Sequence, residues 1–306
     1  MTKVGEAAPP RVEGRSERYR GRVLFEEQPP PPGYQRLITR LWYLDAPPNA
    51  RYEKILPLPL VHLIVNLSDP YRLIEADGRS TVVDGAFVAG LRTHYLISEL
   101  PSRLRHVAAE FTPAGLDALT TALGTGRAGA LAGGRVLPAG RLLPGADRLA
   151  ARLGSLAPEA AVATLTEFLC SGSPPATDPV AVAATDTLRR DPDTAIEGLA
   201  RQLGISRRTL SARFRQASGL APKSYALICR FHRLVAAAQL GDPPDWAALA
   251  AASGFYDQPQ VIRAFRRFSG WTPAEHHRRI ADFGPAEAYF VPLEAVPVPG
   301  SDQARS

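Results

Sequence analysis

The chain has 306 residues, of which 45% are hydrophobic and 22% charged, with 36 Lys or Arg against 30 Asp or Glu. That length suggests about two domains, and the apolar fraction excludes a chain too polar to build a core. The net charge of +6 suits a polyanionic partner, no run approaches the roughly eighteen apolar residues of a membrane span, and two cysteines without partner spacing exclude a disulfide framework or zinc site.

Residues 1–34 carry both charge signs and then the proline run from Pro29 to Pro32. They read as a disordered tail and lack the apolar core of a signal peptide, so a cytoplasmic protein is expected. From residue 35 the texture changes. Segments 37–44, 52–56, 61–67, 71–74, 81–83, 86–89, 93–99 and 104–111 are short and rich in β-branched or aromatic residues. Turn signals such as Ser68-Asp69-Pro70, Asp77-Gly78 and Asp84-Gly85 separate them. Many short strands imply an antiparallel barrel or sandwich. Thr112-Pro113 then starts a helix to about Leu123. A Gly/Ala-rich loop over 124–140 and helices near 146–153 and 158–169 complete a β-rich domain spanning 35–172. Residues 173–179 read as a linker and 284–306 as a flexible tail. The expected fold class is α+β multidomain: an antiparallel β-rich N-terminal domain with helices, then an all-α C-terminal domain over 180–283.

Within 180–283 the chain repeats itself. Leu199, Ala200, Gly204, Ile205, Leu210, Phe214, Gly219 and Pro222 recur as Leu249, Ala250, Gly254, Phe255, Val261, Phe265, Gly270 and Pro273. The offset is 50 through the turn at Ile205 and Phe255 and 51 beyond it, so the second copy carries one inserted residue. A helix that stops at a glycine and restarts within a few residues is a helix-turn-helix, and here there are two. Thr194 with Glu197 forms a capping-box pattern before the first, and Ser206 is placed to cap its second helix. From Arg201 to Gly241 there are eight Lys or Arg and no acid, which points to a phosphate-facing surface. A middle helix of about nineteen residues from Pro222 would span roughly 28 Å, approaching the ~34 Å between successive major grooves on one side of B-DNA.

These residues resemble the AraC/XylS-type bacterial transcription regulators. The resemblance covers about 180–280 and rests on Leu199-Ala200, Gly204-Ile205-Ser206, Leu210 and Phe214, then Gly254-Phe255, Asp257-Gln258, Arg263 through Arg267, Gly270 and Pro273. It implies recognition helices at about 207–216 and 258–268 and double-stranded DNA as partner. Matching motif positions offer Arg208, Ser211 and Ala212 to base edges from the first helix, and Gln258, Pro259, Ile262 and Arg263 from the second. Arg207, Arg213, Arg215, Arg266 and Arg267 suit phosphates, with an intradomain salt bridge as the alternative for Arg213 or Arg266. Contact with RNA polymerase and a homodimer stay open. Two positions depart from the family: Pro259-Gln260-Val261 follows Asp257-Gln258, and His276-His277 replaces an aromatic and an arginine.

The segments 52–57, 61–67, 85–90 and 111–115 resemble the cupin-like domain found on a subset of these regulators. That implies effector sensing in a pocket between strands. His62, His94, His106 and Glu110 lie in this region, but the cupin pairing of two histidines one residue apart is absent, and no metal or other cofactor is expected. No nucleophile–base pair or carboxylate constellation suggests an enzyme. A DNA-alkylation-repair protein would need a reactive N-terminal cysteine cluster, which the chain lacks. The competing reading is an effector-independent DNA-binding protein whose N-terminal domain serves interaction or dimerisation.

Overall fold

The computed structural model describes residues 23–125, 128–131, 133–238, 244–281 and 288–296. The N-terminal half is two facing antiparallel sheets. The first orders β1 (Leu24–Gln28), β2 (Ile38–Ala46), β9 (Leu104–Phe111), β4 (Val61–Asn66), β7 (Ala86–Ala89) and β10 (Val136–Pro138). The second orders β11 (Phe290–Leu293), β3 (Tyr52–Ile55), β8 (Leu96–Glu99), β5 (Tyr71–Glu75) and β6 (Ser80–Val83). The β5–β6 hairpin turns at Asp77-Gly78, where Gly78 has φ +86°.

The first sheet is covered on both faces, which is why β2, β4 and β9 read as nearly continuous apolar runs. Leu41, Tyr43, Leu63, Val65, Val107 and Ala109 point away from the second sheet and join Leu116, Leu149, Leu153 and Leu165 in one core. Those leucines come from α1 (Pro113–Ala122), α2 (Leu149–Leu153) and α3 (Pro158–Cys170). Thr112 caps α1 by accepting from the Gly115 amide, with Pro113 in the first turn.

The C-terminal half contains α4 (Pro179–Arg190), α5 (Ile196–Gln202), α6 (Arg207–Ser218), α7 (Pro222–Ala238), α8 (Trp246–Ala252), α9 (Gln258–Ser269) and α10 (Pro273–Ala281). No helix among the described residues is long and apolar enough to cross a membrane. Both halves share cores. Val180, Leu188, Leu199, Leu210, Phe214 and Tyr225 belong to the same cluster as the leucines of α1–α3. Phe231, Phe265, Phe268 and Trp271 cluster with Leu56 and Val291. The segment read as a linker is packed too: Asp178 caps α4 and pairs with Arg213 of α6, and a Cβ on Gly33 would fall 2.8 Å from Pro174.

Several expectations are corrected here. Part of the N-terminal tail is strand β1, paired to β2 from Leu24↔Asp45 to Gln28↔Leu41. Its glutamates mask the alternation, and they suit an edge that must not pair further. The Gly/Ala-rich loop contains β10, which pairs with β7. The C-terminal tail contains β11, which returns to pair with β3; a proline in the strand is tolerated because β11 is an edge. The capping box does not form. Helix α5 starts at Ile196 without a side-chain cap, and Thr194 bonds Asp191 instead. Residues 1–22 and 297–306 lie outside the described residues.

Candidate nucleic-acid interface and cavity

The two repeats build the same device. In each, the first helix ends at a glycine with positive φ, Gly204 at +66° and Gly254 at +76°. A side chain there would be strained, so the repeat requires glycine. The next apolar residue then closes the turn by donating its amide to the small alanine: Ile205 to Ala200 at 3.0 Å, Phe255 to Ala250 at 2.9 Å. Ser206 caps α6 through the Thr209 amide, and Asp257 caps α9 through the Gln260 amide. Leu210, Phe214 and Ala217 bury one side of α6; Val261, Ala264, Phe265 and Phe268 bury one side of α9.

The opposite faces carry most of the candidate contact residues. Arg207, Arg208, Ala212 and Arg215 are exposed on α6, with Ser211 half-buried; Gln258, Pro259, Arg263, Arg266 and Arg267 are exposed on α9, with Ile262 half-buried. Arg263 lies only 3.9 Å from Asp257, and its side chain remains 69% exposed. Arg213 behaves differently. It holds both oxygens of Asp178 at 2.8 and 2.6 Å, and Asp178 also caps α4. Burial pushes the Asp178 carboxyl up, but Arg213 and the amides of Val180 and Ala181 outweigh it and hold the carboxyl below its ordinary range. Arg213 is thus paired with Asp178, the salt-bridge alternative named for it.

Arg207, Ser211 and Arg215 of α6, Lys223 of α7 and Arg267 of α9 line one cleft. The two basic faces therefore border each other on the same side of the molecule. The residue inserted in the second repeat is Tyr256, between the turn closed by Phe255 and the cap Asp257. It is 92% exposed, at the foot of α9. Sequence reading missed it, although the shift in offset from 50 to 51 marked the place.

Residues 199–279 match the helix-turn-helix domain family, and residues 26–123 match a domain of unknown function (DUF6597). A protein of Streptomyces antibioticus described as an AraC-like transcription regulator is 31% identical over 103 residues, 33% of this chain. The match spans about a third of that relative's length (34%). Residues 199–279 are an AraC-type helix-turn-helix domain. Among solved structures, ToxT from Vibrio cholerae O395 aligns over 83% of this chain and 96% of its own at 11% identity and a TM-score of 0.44. The AraC-like transcriptional activator CuxR aligns over 66% of this chain and 83% of its own at 18% identity and a TM-score of 0.27.

The two departures within this AraC-type domain have local explanations. Pro259 sits in the first turn of α9, where a missing N–H leaves no gap. Gln260 reaches back to accept the Tyr256 amide at 2.9 Å, completing the cap of α9. His276 fills the place of the expected aromatic: it packs 5.3 Å from Phe265 and 6.4 Å from Trp271, and its Nε2 meets the Ala288 carbonyl at 2.9 Å. Burial holds this imidazole down to about 4, so it is neutral in the fold. His277 lies edge-on to Trp246.

Between the two sheets of the N-terminal half is a cavity of about 110 Å³. Its lining has period 2. Trp42 and Leu44, Glu53 and Ile55, His62 and Ile64, Tyr71 and Leu73, Phe87 and Ala89, Leu96 and Ser98, and Leu104 and His106 are i, i+2 pairs from seven strands. Phe290 of β11 adds to it. The three histidines of the β-rich region are engaged separately: Tyr71 with His106 at 3.1 Å, Glu110 with His62 at 3.6 Å, and Thr93 with His94 at 3.3 Å. Among the described residues no group of three or more His, Cys, Asp or Glu is arranged to hold a metal. The thiols are also quiet, since burial pushes Cys170 up to about 11 and Cys229 up to about 12.

The strands that wall the cavity also touch the AraC-type domain, because side chains alternate across a strand. On β3, Glu53 and Ile55 face the cavity while Lys54 faces α9. The Lys54 side chain is buried, with the residue 1% exposed. Its ammonium donates to the Ser269 carbonyl at 2.8 Å and lies 4.0 Å from the Tyr95 ring centre and 3.6 Å from that of Trp271. On β11, Phe290 faces the cavity while Val291 enters the core of the second repeat.

Proposed function

We propose that the chain is a sequence-specific DNA-binding transcription regulator whose two recognition helices, α6 and α9, read adjacent major grooves, under the control of a small molecule held in the N-terminal cavity. The carrying observation is the duplicated helix-turn-helix, with two like-capped helices whose basic faces border one cleft. Helix α7 joins the repeats over 17 residues, about 26 Å of rise. Arg208, Ser211 and Ala212 reach base edges from α6; Gln258, Pro259, Ile262 and Arg263 do so from α9. Arg207, Arg215, Arg266 and Arg267 neutralise phosphates, and the shared cleft seats the backbone between the two grooves. Tyr256 belongs to the same surface. No catalytic role is proposed, and the site of action is the cytoplasm, where bacterial DNA lies.

The cavity favours sensing over a purely adhesive N-terminal domain, because an interaction module needs no internal space. Effector control requires different affinity for two states, and the walls β3 and β11 offer the route, each touching the cavity on one face and the second repeat on the other. Footprinting of the full chain on the DNA upstream of its own gene tests both parts. Protection of two patches about one helical turn apart, changed in strength by cell extract, is expected. Protection confined to one groove would leave the second repeat as scaffold. An extract without effect would favour the interaction-module reading.

A further inference from the structure

The cavity is apolar except at a few points, and one of those points is anomalous. Arg92 follows β7 in the loop that leads to β8 and lines the cavity. It is only 8% exposed, yet neither terminal nitrogen of its guanidinium has a hydrogen-bond partner. The acid whose charge reaches it is Glu75, which forms no ion pair with it. Burial pushes the Arg92 guanidinium below its ordinary range and the Glu75 carboxyl above its own. Arginine stays charged in proteins, and a buried, unsatisfied guanidinium costs several kcal/mol. Such a group is retained at that cost where a ligand completes it. The chain packs closely against its base: a Cβ on Gly134 would fall 2.6 Å from the Arg92 Cβ, so the loop lies there only with a glycine.

We infer that the cavity takes a monocarboxylate with a compact apolar body, its carboxylate held by the two terminal nitrogens of Arg92. This rests on the reading of the cavity as the effector site. The chemistry follows from the lining. Two parallel N–H donors on one planar group match one carboxylate. A phosphate dianion would need further permanent cations, and Arg92 is the one Lys or Arg among the described lining residues, which also include Glu53, His62 and His106. The apolar walls, among them Leu73, Phe87 and Leu96, accept the rest of the molecule. At about 110 Å³ the space is smaller than the ~150 Å³ that accommodates benzene, so the body is a short alkyl chain.

The test is calorimetric titration of the full chain with butyrate and isovalerate, each against its neutral amide. The parent chain should prefer each acid over its amide by at least tenfold. In Arg92→Met the preference should vanish while amide affinity is kept. Arg92→Lys should retain part of it, which separates lost charge from lost packing. Without ligand, Arg92→Met should melt at or above the parent, because it removes a buried charge that no partner satisfies. Equal affinity for acid and amide would overturn the carboxylate assignment and leave the effector cavity standing. An acid preference unchanged in Arg92→Met would overturn the role of Arg92. If none of the four compounds binds, the inference fails. In that case a persisting effect of cell extract on DNA affinity preserves the effector reading, and its absence removes that as well.

Discussion

Replacing Lys54 with methionine is expected to destabilise the full chain by about 2–4 kcal/mol and to weaken DNA binding through the second repeat. The buried ammonium lies within 4.0 Å of two ring centres and donates to the Ser269 carbonyl. A desolvated cation–π contact contributes about 2 kcal/mol, and a hydrogen bond to a charged group about 1.5–3 kcal/mol. Relief of the lysine's own desolvation offsets part of that loss. Ser269 is the last residue of α9, so the lysine also sits at the negative end of that helix dipole. Methionine fills similar volume, which keeps cavity formation out of the comparison. The measurements are a urea unfolding curve and titration of a tandem site against its isolated half-sites. The loss of affinity should appear on the tandem site and on the half-site read by α9, and little on the other. A variant that melts and binds like the parent would show that the contact neither holds α9 nor couples it to β3.

Replacing Arg208 or Arg263 with alanine should cost about 1–3 kcal/mol of specific affinity, roughly 5- to 150-fold, and relax preference at one base pair. Both side chains stand exposed, Arg208 in the first turn of α6 and Arg263 midway along α9. Binding to an unrelated duplex should change far less. Alanine at Arg207, Arg215, Arg266 or Arg267 should instead weaken all sequences about equally and lower the salt slope by about one each. Competition titrations at several salt concentrations separate the two classes. Equal losses on specific and random DNA at Arg208 would reassign it to the backbone.

What was legible in the sequence was whatever repeats locally. Short segments such as 61–67 and 104–111, rich in β-branched and apolar residues and set off by turn signals, report strands. The duplicated Ala–Gly–apolar turn reports both helix-turn-helix units, and the structure uses the same backbone hydrogen bond in each. Contacts between distant segments left no such trace. Strand β11 is four residues of an apparent tail, defined only by pairing with β3, more than two hundred positions earlier. Nothing in the sequence marks Lys54, and its role depends on Tyr95, Ser269 and Trp271 arriving from elsewhere. Arg213 was matched to DNA by its place on a helix, and only the folded position of Asp178 gives it an internal partner. Arg92 is an ordinary arginine in sequence and becomes notable only when folding encloses it.

The central claim is that one chain reads two adjacent major grooves. A spacing series on a tandem operator tests it most directly, with monomeric full-length protein titrated onto duplexes whose half-sites are moved apart stepwise. Affinity should peak when the half-site centres lie about 10–10.5 base pairs apart, and a five-base-pair insertion, which rotates one site to the opposite face, should abolish the gain over a single half-site. A binding curve indifferent to spacing, or one half-site bound as tightly as two, would contradict the account and restrict reading to a single repeat.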